Sequence, residues 1–470
     1  MIEFSLDEIA RITGGHLVGA DATVSASVVT DSRECVPGSL YVARVGEHAD
    51  GHDYAPAARD AGAVGVLGER AVDILPTVVV ENSELAFAKL ARGVVDAIAD
   101  LEIVGITGSS GKTSTKDLLG AVLARFGPTV APHGSLNSEV GVPLTVCRLG
   151  SNSRYLVAEM GASGVGHIEY LTKIAPPKVG IVLNVGKAHM GEFGSVDAIA
   201  QTKGELVEAL PEDGFAVLNV DDERVRAMAS RTKATVVLVG LGEDADYRAT
   251  NVEVDTSGRA SYDLTCPAGT ARVRLAVFGE HQVGNSLSVI AAAVSLGLDL
   301  DTVVEALAAA GATSRWRMEV HELPGDITLV NDAYNANPDS MRAAMRSLAH
   351  MGRERHSIAV LGEMRELGES SFDEHAGVGR EIAALGIDEV YVVGAGAAPI
   401  AVGACEAGMA AERVHEVENA DAAHDALVRD LSAGRILLLK SSRDSGLRLL
   451  GDRLVEEAGT SAFPATEVTA

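Results

Sequence analysis

The chain has 470 residues and a formal charge of −27 at neutral pH, with 47% apolar residues and its acids dispersed rather than run together. That charge argues against nonspecific binding to nucleic acid or to anionic membranes, while anionic small substrates, read by local groups, stay open. No uninterrupted apolar run approaches the roughly 18 residues that span a bilayer, so membrane insertion is not expected. The first residues, MIEFSLDEIARITGG, carry early acids and lack a basic start and apolar core, so they do not read as a signal peptide. Four cysteines (Cys35, Cys147, Cys266, Cys405) lie far apart with no C-x-x-C pair. This argues against a zinc site or disulfide framework and fits a reducing cytoplasm. The length predicts about three domains.

Residues 1–98 read as a small α/β unit. Strand-like runs occur at Ser39–Ala43, Val64–Leu67 and Thr77–Val80, and Ser83–Ala99 is helical in pattern. Two polar clusters stand out, Thr30-Asp31-Ser32-Arg33 and Gly46-Glu47 through Asp50-Gly51-His52-Asp53. Each is readable as a turn with a solvated arginine or as a binding loop.

The stretch Leu101–Thr115, LEIVGITGSSGKTST, organises the chain. An apolar run, Ile103–Ile106, meets a glycine-rich turn, and Leu118, Leu119, Val122, Leu123 and Phe126 then recur at helical spacing. Strand, glycine loop and helix form the context of a phosphate-binding loop. Here Thr107, Gly108, Ser109, Ser110, Gly111, Lys112, Thr113 and Ser114 would wrap a nucleoside triphosphate. Backbone N–H groups would face the polyphosphate, Lys112 would add charge, and the Thr113 hydroxyl would ligate magnesium. The strict G-x-x-x-x-G-K-[ST] spacing is missed, since position 106 is Ile.

From about 100 to 312, apolar strands carry polar residues at their C-terminal ends, which line the ligand crevice of an open parallel sheet. Tyr155–Ala158 ends in Glu159, costly there unless a positive group sits beside it, and a magnesium ion or a structural arginine would serve. Val179–Leu183 ends in Asn184, and the following Gly186–Gly191 loop carries Lys187 and His189. On a helix over 195–210, Lys203 falls in the apolar stripe of Val196, Ile199, Ala200, Leu206, Val207 and Leu210. Spacing alone favours snorkelling to solvent over a functional lysine. Asn285 opens an alanine-rich helix, facing either solvent or a nucleotide.

The third region, from about Thr313, repeats strand-like runs at Ile327–Val330, Ile358–Leu361, Val390–Val393 and Ile436–Leu439 with helical stretches between. That predicts a second doubly wound sheet. The loop Asn331–Pro338 is polar, follows a buried strand and ends in a proline suited to start a helix, so it is a binding-loop candidate. Gly394-Ala395-Gly396 begins like a dinucleotide fingerprint but has Pro at 399, which argues against NAD. The last residues, Gly459–Ala470, read as a frayed tail.

TGSSGKT, AEMGA, NVGKAHMGEFGS, TKGE, HQVGN and SRWRMEV occur in the order found in the Mur ligase family of ATP-dependent amide-forming enzymes, which the chain resembles along nearly its whole length. NDAYNANPDSM, VLGEMRELG and the Lys440–Arg443 run resemble the branch that adds D-alanyl-D-alanine. Thr202 and Ser441 stand where Ala and Gly are usual.

The resemblance implies an α/β chain of three domains: an N-terminal UDP-substrate domain (1–98), a central ATP-binding phosphate-loop domain (99–312) and a C-terminal Rossmann-like ligase domain (313–470). The substrates implied are ATP with magnesium, UDP-N-acetylmuramoyl-tripeptide and D-alanyl-D-alanine, handled by a cytoplasmic monomer. Lys112 and the loop amides would hold the β- and γ-phosphates. Thr113 and Glu159 would hold a first magnesium, and His189 would help place a second. Asn285, Arg317 and Asp332 would contact the nucleotide, Ser32 and Arg33 the uridine, and Tyr334, Asn335 and Asn337 the peptide. Lys203 would be carbamylated, which reverses the snorkelling reading, and the junction near Gly311–Ser314 would act as a hinge. A folylpolyglutamate synthase, a phosphate-loop kinase and a nonenzymatic nucleotide-binding regulator are the competing readings.

Overall fold

The protein is described by a computed structural model covering residues 2–46, 48–187 and 190–460. Its architecture is mixed α/β, with three principal sheets and a short two-stranded ribbon of Phe4–Ser5 with Thr23–Val24. The first sheet has five strands, edge to edge His16–Val18, Thr77–Val79, Gly65–Gly68, Leu40–Val42 and Val28–Val29. All pairs are parallel except the first. The helix Ser83–Asp96, capped by the Asn82 side chain on the Leu85 N–H, leads to the next sheet.

That central sheet has nine strands. Thr129–Val130, Tyr155–Glu159, Glu102–Thr107, Val179–Val182, Phe215–Asn219, Thr235–Gly240 and Tyr247–Val254 run parallel, and Arg259–Cys266 and Gly269–Phe278 extend it antiparallel. The strand before the glycine loop lies between the strands ending at Glu159 and Val182. Its loop therefore opens into the crevice shared by their C-terminal ends.

Alternation along that strand separates two cores. Ile103 joins a cluster that also holds Leu6, Phe87, Ile168 and Leu206, while Val104 and Ile106 pack with Leu118, Val122 and Leu287 on the other face. Gly105 is where the helix Val196–Glu208 crosses closely, since a Cβ there would lie 2.9 Å from Leu206 Cδ1. This close approach carries Lys203 of the same helix toward the crevice.

The third sheet has six strands in the order Glu319–Leu323, Ile327–Asn331, Arg435–Lys440, His356–Leu361, Glu389–Val393 and Val414–Val417. Only the first pairs antiparallel. Asn337 caps the helix Pro338–Met351, which begins on the expected proline. Among the described residues no helix is long and apolar enough to cross a membrane.

Candidate functional site

The glycine loop is tied down from the neighbouring strand. Asn184 accepts from the Ser110 N–H at 2.9 Å and donates to its carbonyl at 3.2 Å, and the Ser109 hydroxyl accepts from the Gly186 N–H at 2.9 Å. Gly111, at φ 82°, sits in the left-handed region just before the helix Lys112–Leu123. A Cβ there would meet Asn285 Oδ1 at 2.7 Å, so glycine is required by both conformation and space. Asn285 is buried behind the loop and donates to Gln282. Half-buried Lys112 donates to the Gly108 carbonyl at 2.7 Å. Burial lowers its pKa, the Arg317 charge adds to that, and the Glu159 carboxylate opposes it. Thr107 is fully buried beneath the loop, its hydroxyl without a hydrogen-bond partner among the described residues.

A cavity of about 400 Å³ opens over this loop, lined by Ser109–Ser114, Glu159, Lys203, Arg317 and the Tyr334–Asn337 region. Glu159 is 1% exposed; its Oε1 accepts from Asn137 at 2.7 Å and Thr113 at 3.4 Å, while Oε2 has no hydrogen-bond partner among the described residues. Among the described residues no arginine is hydrogen-bonded or ion-paired to it, so the alternative of a structural arginine is not met there. A buried carboxylate with a spare oxygen, next to a hydroxyl, suits a hard cation. Lys203 is 6% exposed and its side chain lines the cavity rather than snorkelling to the surface. Burial, reinforced by the Lys112 charge, holds its pKa well below the usual lysine value.

The far wall comes from the third sheet. Tyr334, Asn335, Asn337 and Ser340 line the cavity, and Asn337 donates to the Ser109 carbonyl at 3.2 Å. Arg317 donates to Ser135 at 3.2 Å and lies over the Tyr334 ring at 4.6 Å. Next to it, a smaller cavity of about 210 Å³ shares Ser114 and Arg317 and adds Phe278, Gln282 and Met318, an apolar slot of the kind that takes a nucleobase.

Not every expected residue meets there. Asp332 is buried with its carboxylate held by Lys440 at 2.6 Å and by the Met318 N–H at 3.1 Å, and it lines neither cavity. Ser32 and Arg33 lie in the first sheet's unit, away from this cavity, with Arg33 exposed and paired to Asp31. His189 and Glu47 lie outside the described residues.

Sequence reasoning missed Ser135, Asn137, Ser138, Glu139, Ser163 and His167, all lining the larger cavity, with Glu139 and His167 paired at 3.1 Å. The polar run SLNSE at 135–139, following the turn residues Pro132 and Gly134, was the available signal.

Comparison with known proteins follows this geometry. Three family descriptions match in succession: "Mur ligase family, catalytic domain" over residues 6–101, "Mur ligase middle domain" over 106–293, and "Mur ligase, glutamate ligase domain" over 316–443. The chain is 42% identical to the UDP-N-acetylmuramoyl-tripeptide–D-alanyl-D-alanine ligase of Mycobacterium tuberculosis, covering 97% of this chain and 98% of that one. Its structure is similar to that of MurF from Acinetobacter baumannii, with a TM-score of 0.87, 30% identity and coverage of 97% and 99%. MurF ligase of Thermotoga maritima in complex with ADP matches with a TM-score of 0.79, 28% identity and coverage of 93% and 99%.

Proposed function

The chain belongs to the Mur ligase family, and from that premise we propose that it joins D-alanyl-D-alanine to UDP-N-acetylmuramoyl-tripeptide, converting ATP to ADP and phosphate. The product is the pentapeptide precursor of peptidoglycan. One observation carries the reading: a single cavity has the phosphate loop on one wall and the Tyr334–Asn337 loop on the other. A kinase accounts for the first wall but not for this second one, and the residues of the loop at 331–338 argue against a folylpolyglutamate synthase.

A carboxylate is a poor electrophile, so the γ-phosphoryl group of ATP is first transferred to the terminal carboxylate of the tripeptide. The amine of D-alanyl-D-alanine then attacks the acyl phosphate; an amide forms and phosphate leaves. In the first step two anions approach each other, and the chain's work is positioning and screening. The loop N–H groups and Lys112 hold the polyphosphate, Arg317 neutralises charge developing in transfer, and the slot beside Phe278 takes the adenine. Asn285 acts from behind Gly111, and Asp332 through Lys440 and Met318 rather than by touching nucleotide. Tyr334, Asn335 and Asn337 orient peptide, while Ser32 and Arg33 contact the uridine nucleotide. The units 1–98, 99–312 and 313–470 divide this work, in a monomer acting in the cytoplasm.

Thr113 and Glu159 are the residues that would hold magnesium. Among the described residues no three His, Cys, Asp or Glu side chains are grouped to hold a metal. One carboxylate with a spare oxygen and one hydroxyl fit an ion that completes its shell from phosphates and water. Bound there, magnesium neutralises polyphosphate charge. Lys203, a neutral amine when its proton is lost to burial, can add carbon dioxide; its carbamate and His189 would hold a second ion.

ADP release measured while omitting each substrate in turn tests the reading. The expected result is turnover only with tripeptide and dipeptide together; sustained release with either alone would assign the chain to the kinases or NTPases.

A further inference from the structure

Two buried charges are given no role in the chemistry above, although Asp117 edges the slot beside Phe278. Lys116 and Asp117 lie on the phosphate-loop helix, one turn past Lys112, and both are almost wholly buried. Lys116 Nζ donates to the carbonyls of Pro132 and Gly134 at 2.9 and 3.2 Å and sits 2.5 Å from Asp117 Oδ1. Both grip Ser314, 198 and 197 positions away in sequence. The Ser314 N–H and O–H donate to the two Asp117 oxygens at 2.9 and 3.0 Å, and Lys116 donates to Ser314 Oγ at 3.1 Å.

The next residue belongs to the other body. Arg315 donates to Asp452 at 2.7 Å, the Trp316 indole donates to the same carboxylate at 3.0 Å, and the Met318 N–H donates to Asp332. Trp316 and Met318 have φ of 59° and 49°, strained for side-chain-bearing residues, so this segment is held in shape by its surroundings. Allegiance to the central sheet thus ends at Ser314, and allegiance to the third sheet begins at Arg315. Arg317 rides on the second body yet reaches back to Ser135, which bonds Thr113 at 3.0 Å.

Resting on the ligase reading, we infer that Lys116 and Asp117 are positioning residues: they clamp Ser314 so that the third sheet's unit pivots at the Ser314–Arg315 bond and swings Arg317 to a fixed place beside Thr113. This moves the pivot to the far end of the Gly311–Ser314 segment. Residues 311–313 become slack upstream of the clamp. Lys116 fixes the receiving side too, since its carbonyl partners Pro132 and Gly134 lie within three residues before Ser135.

Removing either charge would leave its partner buried and unpaired, and such a variant could simply unfold. The test therefore inserts a glycine in the full-length chain, either between Gly311 and Ala312 or between Ser314 and Arg315. Displacing a transition-state contact by about 1 Å costs on the order of 100-fold. The downstream insertion is expected to lower kcat by about that factor, more than it changes KM for ATP, with the thermal unfolding midpoint near the parent's. The upstream insertion falls beside the nucleobase slot, which Gly311 and Ala312 line; it should raise KM for ATP while leaving kcat close to the parent's. Ser314→Ala, which keeps the N–H bond but loses the hydroxyl's bonds to Asp117 and Lys116, should lower kcat by about tenfold and make the upstream insertion lower kcat as well. Equal responses to the two insertions, or a downstream insertion that lowers only the unfolding midpoint, would overturn the pivot. A parent without dipeptide-dependent turnover would instead sink the ligase reading.

Discussion

The central and third sheets both end in buried charge, but they treat it differently. In the third sheet each buried ion is answered. Lys440 meets Asp332 at 2.6 Å, and Glu374 meets both Arg342 at 2.9 Å and Lys187 at 2.6 Å. Buried His375 accepts from the Met364 N–H and donates to the Ser371 carbonyl. In the central sheet Glu159 keeps an oxygen without a hydrogen-bond partner among the described residues, and the pKa values of Lys112 and Lys203 are lowered by burial. Lys203 and Lys440 make the sharpest pair, since burial lowers the pKa of both, but only Lys440 has an adjacent carboxylate raising it back. Buried charge that is satisfied internally holds a fold together, whereas buried charge left over is held for something that arrives.

Substitutions at four positions would break or sharpen that contrast. Lys203→Ala should lose nearly all turnover, about three orders of magnitude, while keeping its fold, with partial rescue by short carboxylic acids in place of the carbamate. Full activity would remove Lys203 from the mechanism. A stability measurement goes with it. Below its lowered folded pKa, folding buries the Lys203 cation at a penalty; above the ordinary lysine pKa both states are neutral and the penalty is gone. Lys203→Met should therefore be more stable than the parent at neutral pH without carbon dioxide, and the gap should close as pH rises between those two values. A pH-independent gap would mean that Lys203 is not a buried amine.

Glu159→Gln keeps the shape and removes the charge, and turnover at ordinary magnesium should fall by roughly two to three orders of magnitude. Undiminished turnover would make Glu159 structural like its counterparts in the third sheet. Lys440→Ala is the reverse case. It strands Asp332, so chemical unfolding should show a loss of about 3 kcal/mol, and a neutral result would erase the distinction drawn here. The smallest effect belongs to Lys187→Ala. Its partner Glu374 keeps Arg342, and Lys187 is half exposed, so the change in kcat/KM should correspond to no more than about 1 kcal/mol and should fade in high salt. A salt-independent loss would mean that Lys187 does more than bridge the two bodies.

Much of this was legible in the residues. The change from an apolar run to helical spacing across TGSSGKT located the loop, because glycine and a switch of period are local signals. Glu159 was readable from its place at the end of an apolar strand. Lys203 was found by spacing, but whether it snorkels depends on how closely its helix approaches the sheet at Gly105, which spacing does not report. Ser135–Glu139 escaped because the strand before it, Thr129–Val130, has two residues and makes no pattern. The antiparallel strands from Tyr247 to Phe278 were passed over because their buried residues, such as Tyr262 and Leu264, alternate with more exposed ones instead of forming a run. The Ser314–Asp117 contact joins residues so far apart that no window along the chain could pair them. Asp332, expected on the nucleotide from resemblance, was claimed by Lys440 through tertiary packing.

The chain's single tryptophan stands at the pivot. The Trp316 indole has Arg315 and Arg448 against its ring at 4.8 and 5.3 Å, and Tyr334 stacks 6.3 Å away. Indole emission responds to nearby charge and to hydrogen bonding at its nitrogen, here given to Asp452. The molecule thus carries an unlabelled optical gauge at its joint, with no second tryptophan to blur the signal. Stopped-flow emission on mixing with ATP and the UDP-linked peptide would time the swing of the third sheet in an unmodified enzyme.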